Sequence, residues 1–436
     1  MNTFAIHTLG CKVNTYESQG MVEDFLAHGY QQVGFHEASD VYVIHTCAVT
    51  NTAASKSRQK VRQAIKQNPN AVVCVVGCYV QTNAEDLLKL EGVDVLIGTS
   101  GKQEVVKAVE EFMGKQKKQE VVLPSVKLFD VRKDATFEEQ GVLQFDQVRA
   151  YLKVQDGCNQ FCSYCIIPFT RGKERSLSVE RAVASAQELT EKGHQEIVLA
   201  GIHTGRYGVD QQSDLYTLIK RLLNEVPKLK RLRLSSIEAV ELTSELIALA
   251  EQEDRIAKHF HIPLQSGTDD TLKAMNRKYN TEEFYAKVQE IRRVNPLVSI
   301  SSDVIVGFPK ESREDFERTV AFIKQCELSF LHVFPYSKRE RTVAALMGEH
   351  VDEKEKKERV NTLLSLSKEL KLAYHAKFVG SELAVLMEHS ESGSHYGYSS
   401  EYIKVVVEKS TRVLKGAMVS VIIDSYDEDA CYGHLA

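Results

Sequence analysis

Cys158, Cys162 and Cys165 stand in the segment Cys-Asn-Gln-Phe-Cys-Ser-Tyr-Cys, a C-x3-C-x2-C spacing. Three thiolates in so short a loop can wrap one cubane iron–sulfur cluster, and three ligands rather than four leave one iron open to a substrate. Zinc is the competing reading, but structural zinc usually takes four ligands from two such knuckles, and no second knuckle lies nearby. Of the nine cysteines, Cys11, Cys47, Cys74 and Cys78 are scattered over the first hundred residues, while Cys326 and Cys431 stand alone. A disulfide framework is not expected of a chain in a reducing compartment.

The elements that must position these thiols follow from the apolar pattern. The first 113 residues alternate strand-like runs (Thr3–Leu9, Val41–His45, Ala71–Val76, Val93–Ile97) with helix-like ones (Tyr16–His28, Ala53–Gln67, Ala84–Leu90, Lys102–Met113). Such alternation predicts a doubly wound parallel α/β sheet whose strand-to-helix turns share one edge. Cys11, Cys47 and Cys78 each follow a strand, so the three should converge there. Cys74 lies inside the apolar run Val-Val-Cys-Val-Val-Gly and reads as core, and Cys326 and Cys431 read as structural. A polar linker over residues 115–147 carries one short strand expected near Val121. From Ala150 alternation resumes six times, which predicts a partial (β/α)6 barrel over residues 148–374, connecting helix included, with its site at the C-terminal strand ends. Residues 375–436 break into short β-type runs and predict a small all-β barrel. The chain is thus read as α/β with three parts, residues 1–114, 148–374 and 375–436.

Composition bounds the rest. The chain has 436 residues, 43% of them hydrophobic, and a net charge of −5 from 55 basic and 60 acidic residues, so basic surface must be local. No leader-like start or membrane-length apolar run is found, and a cytoplasmic location is expected.

The cluster spacing, on the first loop of a partial βα barrel, resembles the radical S-adenosylmethionine superfamily. Upstream, Leu9-Gly-Cys-Lys-Val-Asn14, Thr46-Cys-Ala-Val-Thr50 and Gly77-Cys-Tyr-Val-Gln81 resemble the three cysteine motifs of its methylthiotransferase family. The resemblance runs from about residue 3 to residue 430. It implies two 4Fe–4S clusters, one on Cys158, Cys162 and Cys165 with S-adenosyl-L-methionine on its open iron, the other on Cys11, Cys47 and Cys78. One S-adenosylmethionine then supplies methyl to a sulfur at the second cluster, and another supplies the radical that activates the substrate carbon. The terminal module resembles a TRAM domain, a small RNA-binding barrel. Leu9–Ser18, Cys158–Gly172 and Gly201–Gly208 look like the branch that methylthiolates threonylcarbamoyladenosine in tRNA. Alternatives are isopentenyladenosine tRNA, a ribosomal-protein side chain, or a non-enzymatic RNA-binding iron–sulfur regulator. The branch usually has a Gly-Thr-Pro turn after the sixth strand, where this chain has Tyr336-Ser-Lys-Arg-Glu-Arg341-Thr-Val. The expected partners are tRNA, a reductant such as flavodoxin or ferredoxin, and no membrane.

S-adenosylmethionine needs a polar cradle. Tyr164 can lie against the adenine, Gly201 permits close backbone approach, and Glu238, Gln265, Asp303 and Gly307 stand at later strand ends. Polar strand ends can equally be solvated caps. His203 is open to substrate binding, proton transfer or a purely local role. Lys56, Arg58, Lys60, Arg62 and Lys66 mark one helix as a solvated face. Arg171, Lys173 and Arg175, with Lys338, Arg339 and Arg341, fall at the expected barrel mouth, where phosphates would approach. Residues 376–436 hold five basic and nine acidic residues, so RNA contact there would lean on Tyr396, Tyr398 and Tyr402.

Overall fold

The computed structural model describes residues 2–117, 123–133, 136–142, 144–391, 394–408 and 414–436. Strands β1 (Thr3–Thr8), β2 (Gln31–Gln32), β3 (Val41–Thr46), β4 (Val72–Gly77), β5 (Val95–Ile97) and β6 (Ser125–Lys127) form one sheet in the order β2-β1-β3-β4-β5-β6. Every pairing in it is parallel. Helices α1 (Lys12–Ala27), α2 (Asn51–Gln67), α3 (Cys78–Leu88) and α4 (Val105–Lys117) cover its two faces. The central strands β3 and β4 are buried at every residue, as continuous Val/Ile runs covered on both faces must be. The linker strand forms at Ser125–Lys127; the strand expected near Val121 lies outside the described residues.

Six parallel strands, β7 (Ala150–Lys153), β10 (Glu196–Ala200), β11 (Arg231–Arg233), β12 (His259–His261), β13 (Ser299–Val306) and β14 (Phe330–Pro335), build the partial barrel. They form two three-stranded sheets joined by a bridge between Leu232 and Ile256. Between the first two of these strands, β8 (Gln155–Asp156) and β9 (Arg175–Ser176) pair antiparallel and close the neck of the cysteine loop. Helices α5 (Ile167–Thr170), α6 (Val179–Glu191), α7 (Leu215–Glu225), α8 (Ser244–Gln252), α9 (Asp269–Ala274), α10 (Thr281–Val294) and α11 (Arg313–Cys326) follow the strands. Helices α10 and α11 start on capping boxes, Asn280 with Glu283 and Ser312 with Asp315, which satisfy otherwise orphan N–H groups.

After α12 (Glu353–Ala376), strands β15 (Glu382–Glu391), β16 (Ser394–Ser399), β17 (Lys404–Glu408), β18 (Met418–Tyr426) and β19 (Cys431–Leu435) close a five-stranded barrel in the order β15-β16-β17-β19-β18. Strands β16 and β19 are additions to the sequence reading. Their glycines, Gly397 and Gly433, weaken the β signal, yet a side chain at either would strike a neighbouring backbone carbonyl.

This small barrel caps the N-terminal end of the large one, opposite the cysteine loop. Arg231 donates to the carbonyls of Tyr398 (3.1 Å) and Ala384 (2.7 Å), and Arg233 to those of Ser399 (2.9 Å) and Ser400 (3.1 Å). Glu196 holds both guanidinium groups, at 3.0 and 2.7 Å. Tyr402 stacks on His259 at 4.9 Å with Arg233 over its ring, and Arg149 lies over Tyr398. Tyr398 and Tyr402 are therefore committed to the interface between barrels. This corrects the expectation that they stack on RNA: their rings find cationic and aromatic partners within the chain. Tyr396 has neighbours from its own small barrel, Lys404 over its ring and His389 beside it.

Candidate active site

Cys11 caps α1, Cys47 follows β3, and Cys78 opens α3 directly after β4. The tight turns need their glycines. Gly10 (φ +115°) would place a Cβ 2.7 Å from Asn14 Nδ2, and Gly77 (φ +101°) one 2.9 Å from the Thr46 carbonyl. Asn14 explains the last letter of the first motif: its amide donates to the carbonyls of Leu9 (2.7 Å) and Thr46 (3.2 Å), stapling the Cys11 turn to the Cys47 turn. Burial, reinforced by Cys78 and Cys11, pushes the Cys47 thiol up to about 12, and burial also raises Cys78. Such thiols become thiolates at neutral pH when a metal binds them. Cys74 points into the apolar cluster on the other face of β4, with Phe4, Val43 and Val95, and Cys326 and Cys431 are likewise buried among apolar side chains.

Directly behind this edge lies a network absent from the sequence reading. Glu17, on α1 and fully buried, pairs with Lys153 (2.7 Å), Arg171 (3.0 Å) and Lys102 (3.4 Å). Asp156 pairs with Lys153 (2.7 Å), Arg171 (3.0 Å) and Arg175 (2.9 Å). Arg171 also donates to Asn14 Oδ1 at 2.7 Å. Burial would raise Glu17, but Arg171, Lys102 and Lys153 hold its carboxyl well below the usual range. Burial takes His45 down to about 3, so it stays neutral. Four cations thus face two carboxylates, and the excess positive charge adjoins Cys78, which Arg171 stabilises as thiolate. Arg171 and Arg175 were expected at the barrel mouth to meet phosphate. Both are buried and paired with internal acceptors, so that expectation is corrected; Lys173 alone of the three is exposed.

The barrel set sits on the loop closed by β8 and β9. The Cys158 amide donates to Gly172 (3.0 Å) and the Gln160 amide to the Cys158 sulfur (3.4 Å). Arg277 reaches the Cys162 sulfur (3.3 Å) and the Tyr164 hydroxyl (3.4 Å) and pairs with Glu238. Burial, with Cys162, pushes Cys165 up to about 12. His203 contacts the Cys158 sulfur (3.5 Å), Glu241 (2.8 Å) and Glu174 (3.7 Å). Burial disfavours its charge, yet the hydrogen bonds to Cys158, Glu174 and Glu241 raise it to about 12. Cys158, His203, Glu174 and Glu241 thus form a chain that fixes the Cys158 side of the loop.

The donor chemistry fits clusters better than single ions. Thiolates on one zinc stand about 2.3 Å from the metal, hence within about 4 Å of one another. Among the described residues neither cysteine triplet gathers all its sulfurs within 4.8 Å. A cubane binds each thiolate at a separate iron and suits the wider spacing.

A cavity of about 220 Å³ joins the two halves. Val49 and Thr50 line it from the first sheet, and Tyr164, Cys165, Gln265, Asp303 and Tyr336 from the barrel. Gln265 adopts φ +66°, and its backbone bridges to Val304. Asp303 is held by His261 Nε2 at 3.2 Å, and the Tyr336 hydroxyl is buried without a hydrogen-bond partner. Glu238 and Gly201 do not line this cavity: Glu238 is taken by Arg277, and Gly201 packs on Thr204 and Gln155. Gly307 lies against Lys356, away from it.

A second, open cleft of about 530 Å³ runs beside it between α2, α3 and the loop after β14. Arg58, Lys338, Arg339 and Arg341 line it together with Asp86 and Glu340. None of these four cations forms an ion pair among the described residues, and Asp86 is paired with Lys89. Of the basic run on α2, only Arg58 enters the cleft.

Residues 3–98 match the model of "Uncharacterized protein family UPF0004" and residues 152–323 that of the "Radical SAM superfamily". A Bacillus subtilis protein called threonylcarbamoyladenosine tRNA methylthiotransferase MtaB is 42% identical over 97% of this chain and 94% of its own. Its Aquifex aeolicus namesake is 41% identical over 88% and 92%. A Thermoanaerobacter tRNA-2-methylthio-N(6)-dimethylallyladenosine synthase is 32% identical over 88% and 82%. In fold, the chain is similar to the radical S-adenosylmethionine methyltransferase TsrM of Kitasatospora setae (TM-score 0.55, 11% identity, 79% of this chain and 74% of that one).

Proposed function

This chain belongs to the radical S-adenosylmethionine methylthiotransferases, in the threonylcarbamoyladenosine branch, and we propose that it methylthiolates C2 of threonylcarbamoyladenosine beside the anticodon of tRNA. The observation that carries this reading is the cavity between the first sheet and the barrel, whose wall holds Cys165 of one three-cysteine set and, from the first sheet, Val49 and Thr50, next to Cys47 of the other. A reaction that both builds a methylthio group and activates an aromatic carbon needs two such sets facing one space. The higher identity to the threonylcarbamoyladenosine enzymes than to the dimethylallyladenosine synthase favours this base, and membership in an enzyme family disfavours a pure RNA-binding regulator.

In this reading Cys158, Cys162 and Cys165 hold one 4Fe–4S cluster and Cys11, Cys47 and Cys78 the other. When bound, the clusters and S-adenosylmethionine supply the radical, the sulfur and the methyl group. The chain does the positioning. Tyr164, Gln265 and Asp303 face the cavity and are placed to hold the methionine, ribose or adenine of S-adenosylmethionine; Glu238 acts on the loop through Arg277. Asn14 and Arg171 lock the two cysteine-bearing edges together, and the apolar lining, Ile166, Ile305 and Phe334, limits water around a reactive radical. Among the described residues no helix is long and apolar enough to cross a membrane. We place the enzyme in the cytoplasm, reduced by a small carrier such as flavodoxin or ferredoxin.

The test is the nucleoside profile of tRNA from a strain lacking the activity, with and without this gene. The 2-methylthio derivative of threonylcarbamoyladenosine should return. Return of the dimethylallyl product instead, or of a modified ribosomal protein alone, overturns the substrate assignment.

A further inference from the structure

Among the described residues, Arg339 is the one cation of the open cleft that is half-buried and has buried donor atoms without an acceptor. Its Nε and Nη2 atoms are buried and have no hydrogen-bond acceptor. A charged donor withdrawn from water without an acceptor is costly, so a ligand that brings one gains strongly by binding there. The loop that carries Arg339 is held from both sides. The Asn51 amide donates to Ser337 Oγ at 2.9 Å, tying the loop to the start of α2. The Thr342 hydroxyl and amide donate to the Arg339 carbonyl at 2.7 and 3.2 Å, and Tyr336 packs edge-on against Phe308. The guanidinium is therefore presented by a fixed backbone.

Its depth sets it apart from its neighbours. Lys338 and Arg341 are exposed at the rim. Arg339 lies within electrostatic reach of Cys47 and Tyr79, and its closest cationic influence is Arg58. Arg58 is occupied by the Tyr79 hydroxyl at 2.6 Å. Backbone phosphates, bulky and strongly hydrated, meet the rim first. A base that must reach the cysteine sets carries its substituent deeper, towards Arg339.

The substrate base proposed above bears a threonine attached through a carbamoyl group, and that threonine ends in a carboxylate. A planar guanidinium fork matches a carboxylate with two parallel hydrogen bonds. An isopentenyl substituent offers no acceptor and would leave the buried donors unpaired. We propose that Arg339 receives the threonine carboxylate of the substrate base and so selects threonylcarbamoyladenosine over uncharged N6 substituents. This rests on the substrate reading above. The recognition is of an oxyanion, and the alternative source of one is an RNA phosphate.

The two sources separate with one RNA in two forms: an anticodon stem–loop carrying threonylcarbamoyladenosine as the free acid, and the same RNA with the threonine as its methyl ester. The phosphates are identical; only the carboxylate differs. The anaerobically reconstituted full chain should favour the acid in kcat/KM by on the order of 100-fold or more, as sites built around a buried donor do. Arg339→Gln should lower kcat/KM for the acid and collapse the acid-to-ester ratio towards one, and Arg339→Lys should retain part of it. Iron content and the reduced-cluster spectrum, read on each variant, report folding. Equal use of acid and ester by the native chain overturns the proposal. So does an equal loss on both RNAs in Arg339→Gln, which marks a phosphate contact, or an altered cluster spectrum, which marks a residue that balances cluster charge. If the native chain modifies neither RNA, the substrate reading itself falls; if it modifies the acid without selecting it, only the role of Arg339 falls.

Discussion

Asn14 and Arg171 show how much of this site depends on residues that hold no cofactor. Asn14 donates to both cysteine turns, and Arg171 bonds Asn14, Glu17 and Asp156 at once. Replacing Arg171 by methionine removes the one guanidinium that Glu17, Asp156 and Asn14 share and should cost about 3–5 kcal/mol, read by denaturant unfolding of the reconstituted chain. Removing the thiols is a separate matter. Cys11→Ala, Cys47→Ala and Cys78→Ala together should halve the iron, from about eight to about four per chain for two cubane clusters. That triple variant should still cleave S-adenosylmethionine to deoxyadenosine and make no methylthio product. Iron unchanged from native would show that other residues hold the second cluster. Cys74→Ala should lose stability, from its place in the core, and keep its iron.

At the scale of elements, the strand ends decide what each side chain can do. Asp94 opens β5 and accepts the Val73 amide at 2.8 Å, while burial raises its carboxyl to about 6. Its folded pKa lies above its unfolded one, so the folded chain binds the proton more tightly. Stability is therefore greatest below the unfolded value and is lost as pH rises through about 6. Asp94→Asn keeps the acceptor and removes the charge. Its melting temperature should exceed the native one at about pH 8 and match it at about pH 4; a constant difference across that span would show that titration of Asp94 is not the cause. The alternation of strands and helices was legible because β3 and β4 read as continuous apolar runs. The start of α3 was not: Cys78 to Asn83 look like a loop, and the helix kinks at Asn83.

In the whole molecule, the two ends of the large barrel have different work. One end carries the Cys158, Cys162 and Cys165 loop and faces the first sheet, whose edge carries the other cysteine set; the opposite end is sealed by the five-stranded barrel through Arg231, Arg233 and Arg149. Truncation after α12 would strip Arg231 and Arg233 of their carbonyl acceptors and Arg149 of Glu388, so it should lower the melting temperature of the remaining chain as well as tRNA affinity. A truncated chain with native stability would show the interface to be passive. The rim cations act differently. Lys338→Ala with Arg341→Ala should weaken tRNA binding and reduce the slope of log K against log salt by about 1.4 to 1.8, roughly 0.7–0.9 for each lost phosphate contact. Cluster content should not move. An unchanged slope would place the RNA backbone elsewhere.

Cysteine identity and spacing determined the chemistry from the sequence alone, because a ligand set on one loop is local and its neighbours in space are its neighbours in the chain. The order of strands placed Cys11, Cys47 and Cys78 at one sheet edge for a similar reason: a parallel α/β sheet puts every strand-to-helix turn on the same side. The fate of charge was decided only by tertiary structure. Arg171, Lys173 and Arg175 look alike as a basic run, yet Arg171 is buried against Glu17, 154 residues away, and only Lys173 is exposed. Lys338, Arg339 and Arg341 look alike too, and only packing leaves Arg339 half-buried with unpaired donors. Tyr398 and Tyr402, read as exposed RNA-stacking rings, became the seal between two barrels. A charged or aromatic side chain takes its role from whichever partner the fold brings to it, and that partner is set by contacts far along the chain that no local pattern records.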